Sequence, residues 1–547
     1  MREFVSLSPE GVQYPLPRKD DYAAEFKRVE ALSAAARKNG QEIVVVIGVG
    51  FVGAVMAAIV ADSADKDGKP RKFVIGMQRP SVRSYWKIPM LNQGLSPIKA
   101  EDPEVVPLIN RCVKEKKTLT ATYTYDVLTL ADVVVIDVQC NYTKNELGNV
   151  RNGHVDMGAL EEAFEIIANK VNPETLILIE TTVAPGTTEQ VAFPIMKKIF
   201  TRRGIKSDPL LAHSYERVMP GKEYVSSIRD FWRVCSGVNE LAKQKVVKFL
   251  NEIINTTKYP LTVLDRPVES ETAKIVENSY RAAILAFMDE WSLFAERNGV
   301  DIIKVINAIR TRPTHSNLMF PGPGIGGYCL PKDGALGIWA YKHILGFEDD
   351  IFRITPRAID INDTRPLHSA QLVRDALRNM NVPIAGAEIL ILGASYREDV
   401  GDTRYSGSEI LVRKLAEMGA EIRVHDPYVD HWWEFKNQEV YPDSSKRVFF
   451  RNQKKLKELE VNKDIRGCLN GIDALVFAVK HKEYIVFNPD EIVRLAGKPI
   501  AVIDCFGILD DQKIRRYLEL GCEVKGMGRG HIRRIKESLK EKGRIEE

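Results

Sequence analysis

The sequence has no CxxC pair and only seven cysteines, at positions 112, 140, 235, 329, 468, 505 and 522. An odd, scattered set argues against a disulfide framework or a zinc cluster. It fits reduced thiols in a cytoplasmic protein, and no metal site is expected. No stretch approaches the roughly 18 uncharged apolar residues of a membrane span. Residues 1–40 lack the basic, apolar, small-residue order of a secretory leader. Neither sign of charge dominates: 78 Lys and Arg stand against 74 Asp and Glu, a net charge of +4. That balance gives no footing for nucleic acid as a partner. No short-period repeat is visible. What is present is ordinary globular material, 44% hydrophobic and 28% charged over 547 residues, which excludes wholesale disorder and fibrous repeats. The length suggests about three or four domains.

The organisation follows from hydrophobic runs. Residues 1–40 read as an extension, with Pro15 and Pro17 before a charged helical stretch over 20–38 that packs on the first domain or on a partner. Short β-branched runs over 42–47, 72–76, 132–136, 175–179 and 232–235 alternate with helical segments such as 157–170 and 187–200. That alternation predicts a parallel, doubly wound sheet over 41–265. Residues 269–298 form one long helical pattern without internal Pro or Gly, suited to linking domains or forming a dimer seam. Helical residues continue to 310, and a Pro/Gly-rich loop over 320–328 interrupts the helices. A second α/β unit spans 383–530, with strands over 388–392, 421–424, 474–479 and 500–503. The predicted fold class is therefore α/β, with two Rossmann-like doubly wound domains joined by a long central helix in a region spanning 266–382. The polar stretch 430–462 reads as a surface insertion. The tail from Arg529, with 531–547 set apart as a charged terminus, is expected to fray.

Three motifs carry chemistry. Gly48-Val-Gly50-Phe51-Val52-Gly53 follows a β-branched strand and opens a small-residue helix, the context a dinucleotide loop requires. The first glycine permits the tight turn, the second lets backbone approach a pyrophosphate, and the third allows close helix packing. The acid that would read the adenosine ribose at the end of the second strand is absent. Gln78 and Arg79 stand there. Gln78 can still bond a ribose hydroxyl and Arg79 can pair with a 2′-phosphate, so NAD and NADP both remain open at this point. The second motif is Gly322-Pro-Gly324-Ile-Gly326-Gly327-Tyr328-Cys329-Leu-Pro331-Lys-Asp333. Pro331 suits a helix start, which sets Cys329 near a helix N-terminus that favours its thiolate. Asp333, four residues on, can activate water. The third motif is Lys274 and Asn278, four apart on the long helix and sharing a face. They can stabilise an oxyanion, or Lys274 can pair with Glu271 and Glu277 as an ordinary helix surface.

Together with Leu91–Ile98, Glu180–Val183, Tyr215–Gly221, Leu392–Ser406 and His425–Tyr428, these motifs resemble the nucleotide-sugar 6-dehydrogenases, which act on UDP-glucose and UDP-N-acetylhexosamines. The resemblance covers residues 41–530. It implies an NAD-dependent four-electron oxidation of a sugar C6 alcohol to a carboxylate, through a thiohemiacetal and a thioester on Cys329. It implies a UDP-sugar as substrate and a homodimer or higher homo-oligomer. By resemblance, Cys329, Lys274, Asn278, Asp333 and Glu216 are catalytic. Gly48, Gly50, Phe51, Val52, Gly53, Gln78, Arg79, Cys140 and Thr182 hold the cofactor. Arg217, Gly324, Gly326, Gly327, Tyr328, Tyr396, Arg397 and Arg404 hold the substrate. The form Glu-Arg-Val-Met-Pro-Gly at 216–221 leans toward the N-acetylhexosamine branch. Four positions depart from the pattern. Cys140 stands for a Thr, Gln78 for an acid and Phe506 for an Arg, and Arg397 replaces a Lys. His481 fits a structural role. The alternatives are a two-electron dehydrogenase of the 3-hydroxyacid or 6-phosphogluconate type, and a non-catalytic NAD-binding sensor.

Overall fold

The computed structural model describes residues 4–218, 221–435 and 449–545. The chain divides into two compact units. One comprises Met1–Thr143, His154–Val276 and Leu336–Asp349, the other Lys144–Gly153, Glu277–Ala335 and Asp350–Glu547. The long helix Pro267–Arg297 opens in the first of these segments sets and closes in the second.

The first unit is built on an eight-stranded sheet. From one edge its strands are Thr262–Val263, Val234–Gly237, Leu210–His213, Leu176–Ile179, Val133–Ile136, Glu42–Ile47, Lys72–Met77 and Leu119–Thr122. All neighbours run parallel except Leu210–His213 with Val234–Gly237, which are antiparallel. Counted along the chain, the first six strands lie in the order 3-2-1-4-5-6, so the sheet reverses winding between Glu42–Ile47 and Val133–Ile136. Ligands bind at such a switch point, beyond the carboxyl ends of the strands. Ile43–Ile47 is an inner strand buried on both faces, which is why it reads as an apolar run with no alternation. Every residue of the following helix from Gly53 to Ala61 is buried, so it tolerates no polar face. The expected strand at 232–235 lies two residues later, at Val234–Gly237, and Trp232 is half exposed.

The extension forms a hairpin, Val5–Leu7 with Gln13–Pro15, and the helix Asp21–Lys38. That helix packs on the first unit through Val29, Ser33 and Ala36. Arg28 donates to Thr120 and the Ala121 carbonyl, and Glu25 accepts from Thr122, so the helix covers the edge strand. Covering an edge satisfies backbone groups that would otherwise invite another chain.

The second unit holds a fully parallel six-stranded sheet. Its order is Val461–Asn462, Glu421–His425, Glu388–Leu392, Ala474–Phe477, Ala501–Asp504, Glu523–Gly526, again 3-2-1-4-5-6 along the chain. Its switch point lies after Glu388–Leu392 and Ala474–Phe477. Two expectations fail here. The tail from Arg529 does not fray: Ile532–Glu541 is a helix whose Ile532, Ile535 and Leu539 are buried in the core of this unit. Their spacing puts all three on one face, and that apolar stripe outweighs the surrounding charge. The stretch 430–462 is no mere surface insertion either. Trp432 is fully buried, Phe435 and Leu456 join the core, and Val461–Asn462 extends the sheet. Residues 436–448 of it lie outside the described residues.

Candidate active site

In the first unit the glycine loop crosses the sheet's switch point. Gly48 sits at φ +98°, where a Cβ would lie 2.6 Å from the Asp137 carbonyl oxygen. A Cβ on Gly53 would run into the Gly48 carbonyl oxygen and lie 2.8 Å from Asp137 Oδ2. These two glycines are demanded by protein packing. Gly50 differs: it caps the helix Phe51–Asp62 in extended backbone, and a Cβ there would meet nothing within 4 Å. Open space above a helix N-terminus is what a pyrophosphate needs, so the residues present fit a dinucleotide. Phe51 stacks on Tyr224 at 5.0 Å and its carbonyl accepts from the Tyr224 hydroxyl, while Val52 is half-buried beside it. Gln78 turns back onto the loop, accepting from the Val49 N–H at 3.1 Å. Arg79 is exposed and pairs with Glu162 at 2.9 Å.

Beneath the loop lies a buried polar network. Arg233 pairs with Glu180 at 2.6 Å, both wholly enclosed. One oxygen each of Glu180 and Asp137 has no hydrogen-bond partner among the described residues. Burial, then the charges of Glu180 and Glu216, hold the Asp137 carboxyl well above its usual range. Cys140 and Thr182 are buried at the ends of neighbouring strands. Lys274 Nζ donates to the Glu216 carbonyl at 2.7 Å, stands 3.9 Å from Glu216 Oε1 and lies over the Tyr215 ring. Burial, and then the Lys274 charge, push His213 down to about 3, so its imidazole is neutral against Ser270. Glu271 does not serve Lys274. Its carboxylate accepts from Gly186 N–H, Thr188 N–H and the Thr188 hydroxyl. Arg217 also lies over Tyr215 and donates to its hydroxyl and to the Trp232 carbonyl. Met219 and Pro220 of this motif lie outside the described residues.

In the second unit the cysteine loop is fixed by the helix it opens. The Cys329 carbonyl accepts from Lys332 N–H at 3.1 Å and Asp333 N–H at 2.9 Å, and helix Asp333–His343 follows. The half-buried Cys329 forms no disulfide. Asp333 is fully buried, with Oδ2 accepting from Asn278 Nδ2 at 2.7 Å and Oδ1 from Lys332 Nζ at 2.8 Å. The loop's own glycines face protein: a Cβ on Gly324 would meet the Asn362 carbonyl, and Cβ atoms on Gly326 and Gly327 would meet Tyr396. Tyr328 lies under Lys332 at 4.6 Å and Arg404 at 5.4 Å. Arg404 is clamped by both oxygens of Asp402. Burial raises the Tyr396 phenol above its usual value. Arg397 is more exposed and lies 3.6 Å from Glu398. Phe506, where an Arg was expected, covers Gly322. His481 is buried between Asp426 and the Asp399 N–H, a structural place.

Lys332 and Asp137 were missed in the sequence. Lys332 had a signal, its place beside Asp333 in the loop. Asp137 had none, because an acid at a strand end reads as a strand stop.

Models of the UDP-glucose/GDP-mannose dehydrogenase family match most of the chain. The NAD-binding domain matches residues 42–255, the central domain 268–364 and the UDP-binding domain 390–511. The chain belongs to this family. The family's NAD-binding domain thus falls on the eight-stranded sheet, and NAD is the cofactor. The UDP-binding domain falls on the six-stranded sheet. Among relatives, the chain is 27% identical to the UDP-N-acetyl-D-mannosamine dehydrogenase of Pyrococcus horikoshii, covering 89% of this chain and 100% of that one. It is 25% identical to the UDP-N-acetyl-D-glucosamine 6-dehydrogenase of Pseudomonas aeruginosa, covering 86% and 98%. Among solved structures, a UDP-D-ManNAc dehydrogenase from Pyrococcus horikoshii aligns with a TM-score of 0.72 over 89% of this chain and 100% of that one, at 25% identity. An NDP-N-acetyl-D-galactosaminuronic acid dehydrogenase from Methanosarcina mazei Go1 aligns with a TM-score of 0.71 over 92% and 98%, also at 25% identity.

Proposed function

We propose that this family member oxidises the C6 alcohol of a UDP-linked N-acetylhexosamine to the carboxylate in two hydride steps. The observation that carries this reading is the pinning of Asp333. Two donors hold its carboxylate, and its N–H is tied to the backbone of Cys329 one turn away. NAD supplies two successive hydride acceptors, one molecule per step. Gly50 and the first turn of Phe51–Asp62 would hold its pyrophosphate, above the tight turn that Gly48 and Gly53 allow. Lys274 and Asn278 donate to the substrate oxygen as charge develops on it. The alcohol loses a hydride and a proton and becomes an aldehyde. The Cys329 sulfur then bonds to the aldehyde carbon, and the carbonyl oxygen takes up the thiol proton. That tetrahedral adduct loses a second hydride and a proton to give a thioester. Water, oriented by Asp333, attacks the thioester carbon. The carbon–sulfur bond breaks, the carboxylate leaves and the thiol is restored. Glu216 beside Lys274 accepts protons released on the way.

The relatives' names and the 216–221 motif support the N-acetylhexosamine assignment. The alternative two-electron chemistry needs no cysteine loop. We assign the protein to the cytoplasm, in keeping with its seven unbridged thiols; among the described residues no helix is long and apolar enough to cross a membrane. We assign it a homodimer through the long helix, because Tyr280, Phe287, Trp291 and Phe294 form an exposed aromatic stripe along it.

The test is cofactor stoichiometry with UDP-N-acetylhexosamines. Two NADH and one acid per sugar are expected. Cys329→Ser is expected to lose acid formation. One NADH per sugar, or acid output unchanged in Cys329→Ser, refutes the thioester route. No NADH with any UDP-sugar leaves the sensor reading in its place.

A further inference from the structure

The second unit carries a cavity of about 670 Å³ among the helices Ile302–Arg310, Asp511–Glu519 and Ile532–Glu541. It shares no residue with the clusters above. Most of its cationic wall lies past residue 511, where the match to the family's UDP-binding domain ends. The volume is in the range of sites that enclose a small organic ligand, about 300–1,000 Å³.

Its lining combines apolar and charged side chains. Val300, the exposed Val305 and the outer edges of the core residues Ile535 and Leu539 supply its apolar lining, the apolar wall of the cavity. Five Lys and Arg side chains face it against two Asp. Arg515, Arg534 and Lys542 are exposed there, and none enters an ion pair among the described residues. The floor is His531, 5% exposed, whose Nε2 faces Asp511 at 3.1 Å and Asp301 at 3.5 Å while its buried Nδ1 has no hydrogen-bond partner among the described residues.

Asp301, Asp511 and His531 bring their ligand atoms within 4.8 Å of one another, which invites comparison with a cation site. Their charge is already met. Lys304 Nζ lies 2.8 Å from Asp511 and 3.9 Å from Asp301, and Arg529 Nε lies 3.5 Å from Asp301. A metal ion would have to displace both cations. The uncompensated charge of the cavity is the positive charge at its rim.

We infer that this cavity binds a nucleotide-type anion, with its di- or triphosphate on Arg515, Arg534 and Lys542 and its base against the Val300–Leu539 wall. Phosphate oxygens accept charge-assisted hydrogen bonds from such side chains. A bare polyphosphate would leave the apolar wall wet, so the wall selects a ligand with a flat apolar part.

The experiment is calorimetric titration of the full-length protein with ATP, in EDTA and saturating NADH so that the cofactor loop is filled. Wild type is expected to bind ATP, and Arg515→Glu with Arg534→Glu to weaken it about tenfold or more, since hydrogen bonds to charged groups carry most of the affinity. Lys542→Glu alone should weaken it by a smaller factor. All three side chains are exposed, so NADH affinity and melting temperature should stay as in wild type. Tripolyphosphate should bind about tenfold more weakly than ATP, for want of the apolar contact. Unchanged ATP affinity in the charge-reversed variants overturns the site. Equal affinities for ATP and tripolyphosphate overturn the nucleotide assignment. In a parallel titration without EDTA, binding of Mn²⁺ without binding of ATP overturns both.

Discussion

Alanine at Gly50 and at Gly53 should have opposite consequences, although the two glycines are three residues apart in one motif. At Gly53 a Cβ runs into the Gly48 carbonyl oxygen, a backbone atom that cannot swing aside, and comes within 2.8 Å of Asp137 Oδ2. Overpacking of this kind costs about 3 kcal/mol, against which alanine's better helix propensity returns about 1 kcal/mol. The net loss of about 2 kcal/mol corresponds to a melting-temperature drop of about 4–8 °C in a large domain. At Gly50 the backbone is at φ −88° and ψ −153°, open to any residue, and a Cβ meets nothing within 4 Å. Gly50→Ala should therefore melt as wild type does. It should still lose affinity for NAD by about tenfold or more, because the methyl group takes the space through which the loop backbone approaches the pyrophosphate. Differential scanning calorimetry without cofactor, paired with NADH fluorescence titration, separates the two. A Gly50→Ala variant as unstable as Gly53→Ala, or one with normal NADH affinity, would refute this division of labour.

Three further outcomes are expected. Lys332→Met leaves the buried Asp333 with Asn278 alone, which should cost about 3 kcal/mol or more; urea melts measure this, and intact-protein mass spectrometry should show a thioester accumulating on Cys329. Burial pushes Asp289 up to about 7 from an unfolded value near 3.8, opposed by Arg365. The folded chain thus holds a proton between about pH 4 and 7 that the unfolded chain has released, so stability falls as pH rises through that window, by about 4 kcal/mol at most for this group. Glu271, also pushed up by burial to about 7, acts in the same direction. Urea melts from pH 5 to 8 should show the decline, and Asp289→Asn should flatten it; an identical slope in the variant removes Asp289 as a cause. Finally, Phe287→Asp with Trp291→Asp should halve the mass seen by analytical ultracentrifugation, and an unchanged mass would place the subunit contact elsewhere.

The two sheets were legible because their central strands are buried on both faces and write themselves as unbroken β-branched runs. The edge strands Leu119–Thr122 and Val461–Asn462 left no such trace, being short and partly polar. The helix Ile532–Glu541 is masked by its charge, because its composition is that of a solvated tail and only the spacing of Ile532, Ile535 and Leu539 marks a buried face. In the site, residues within one turn of a motif could be read: Cys329 with Asp333, Lys274 with Asn278, Gly48 with Gly53. The position of each is set by local chain geometry that spacing reports.

Sequence alone determined the residue types that the chemistry needs, because loops and helical turns hold neighbours in the chain together without help from the rest of the fold. Only the tertiary structure decided what each charge meets: that Glu271 serves the Gly186 turn rather than Lys274, that Asp333 answers to Lys332 and Asn278, and that the Asp137 carboxyl, held well above its usual range by burial and by the charges of Glu180 and Glu216, lies against the glycine loop. The Gly186–Glu271 and Asn278–Asp333 pairings join residues 85 and 55 apart, and burial, which fixes their electrostatics, is a property of packing that no short stretch of sequence contains.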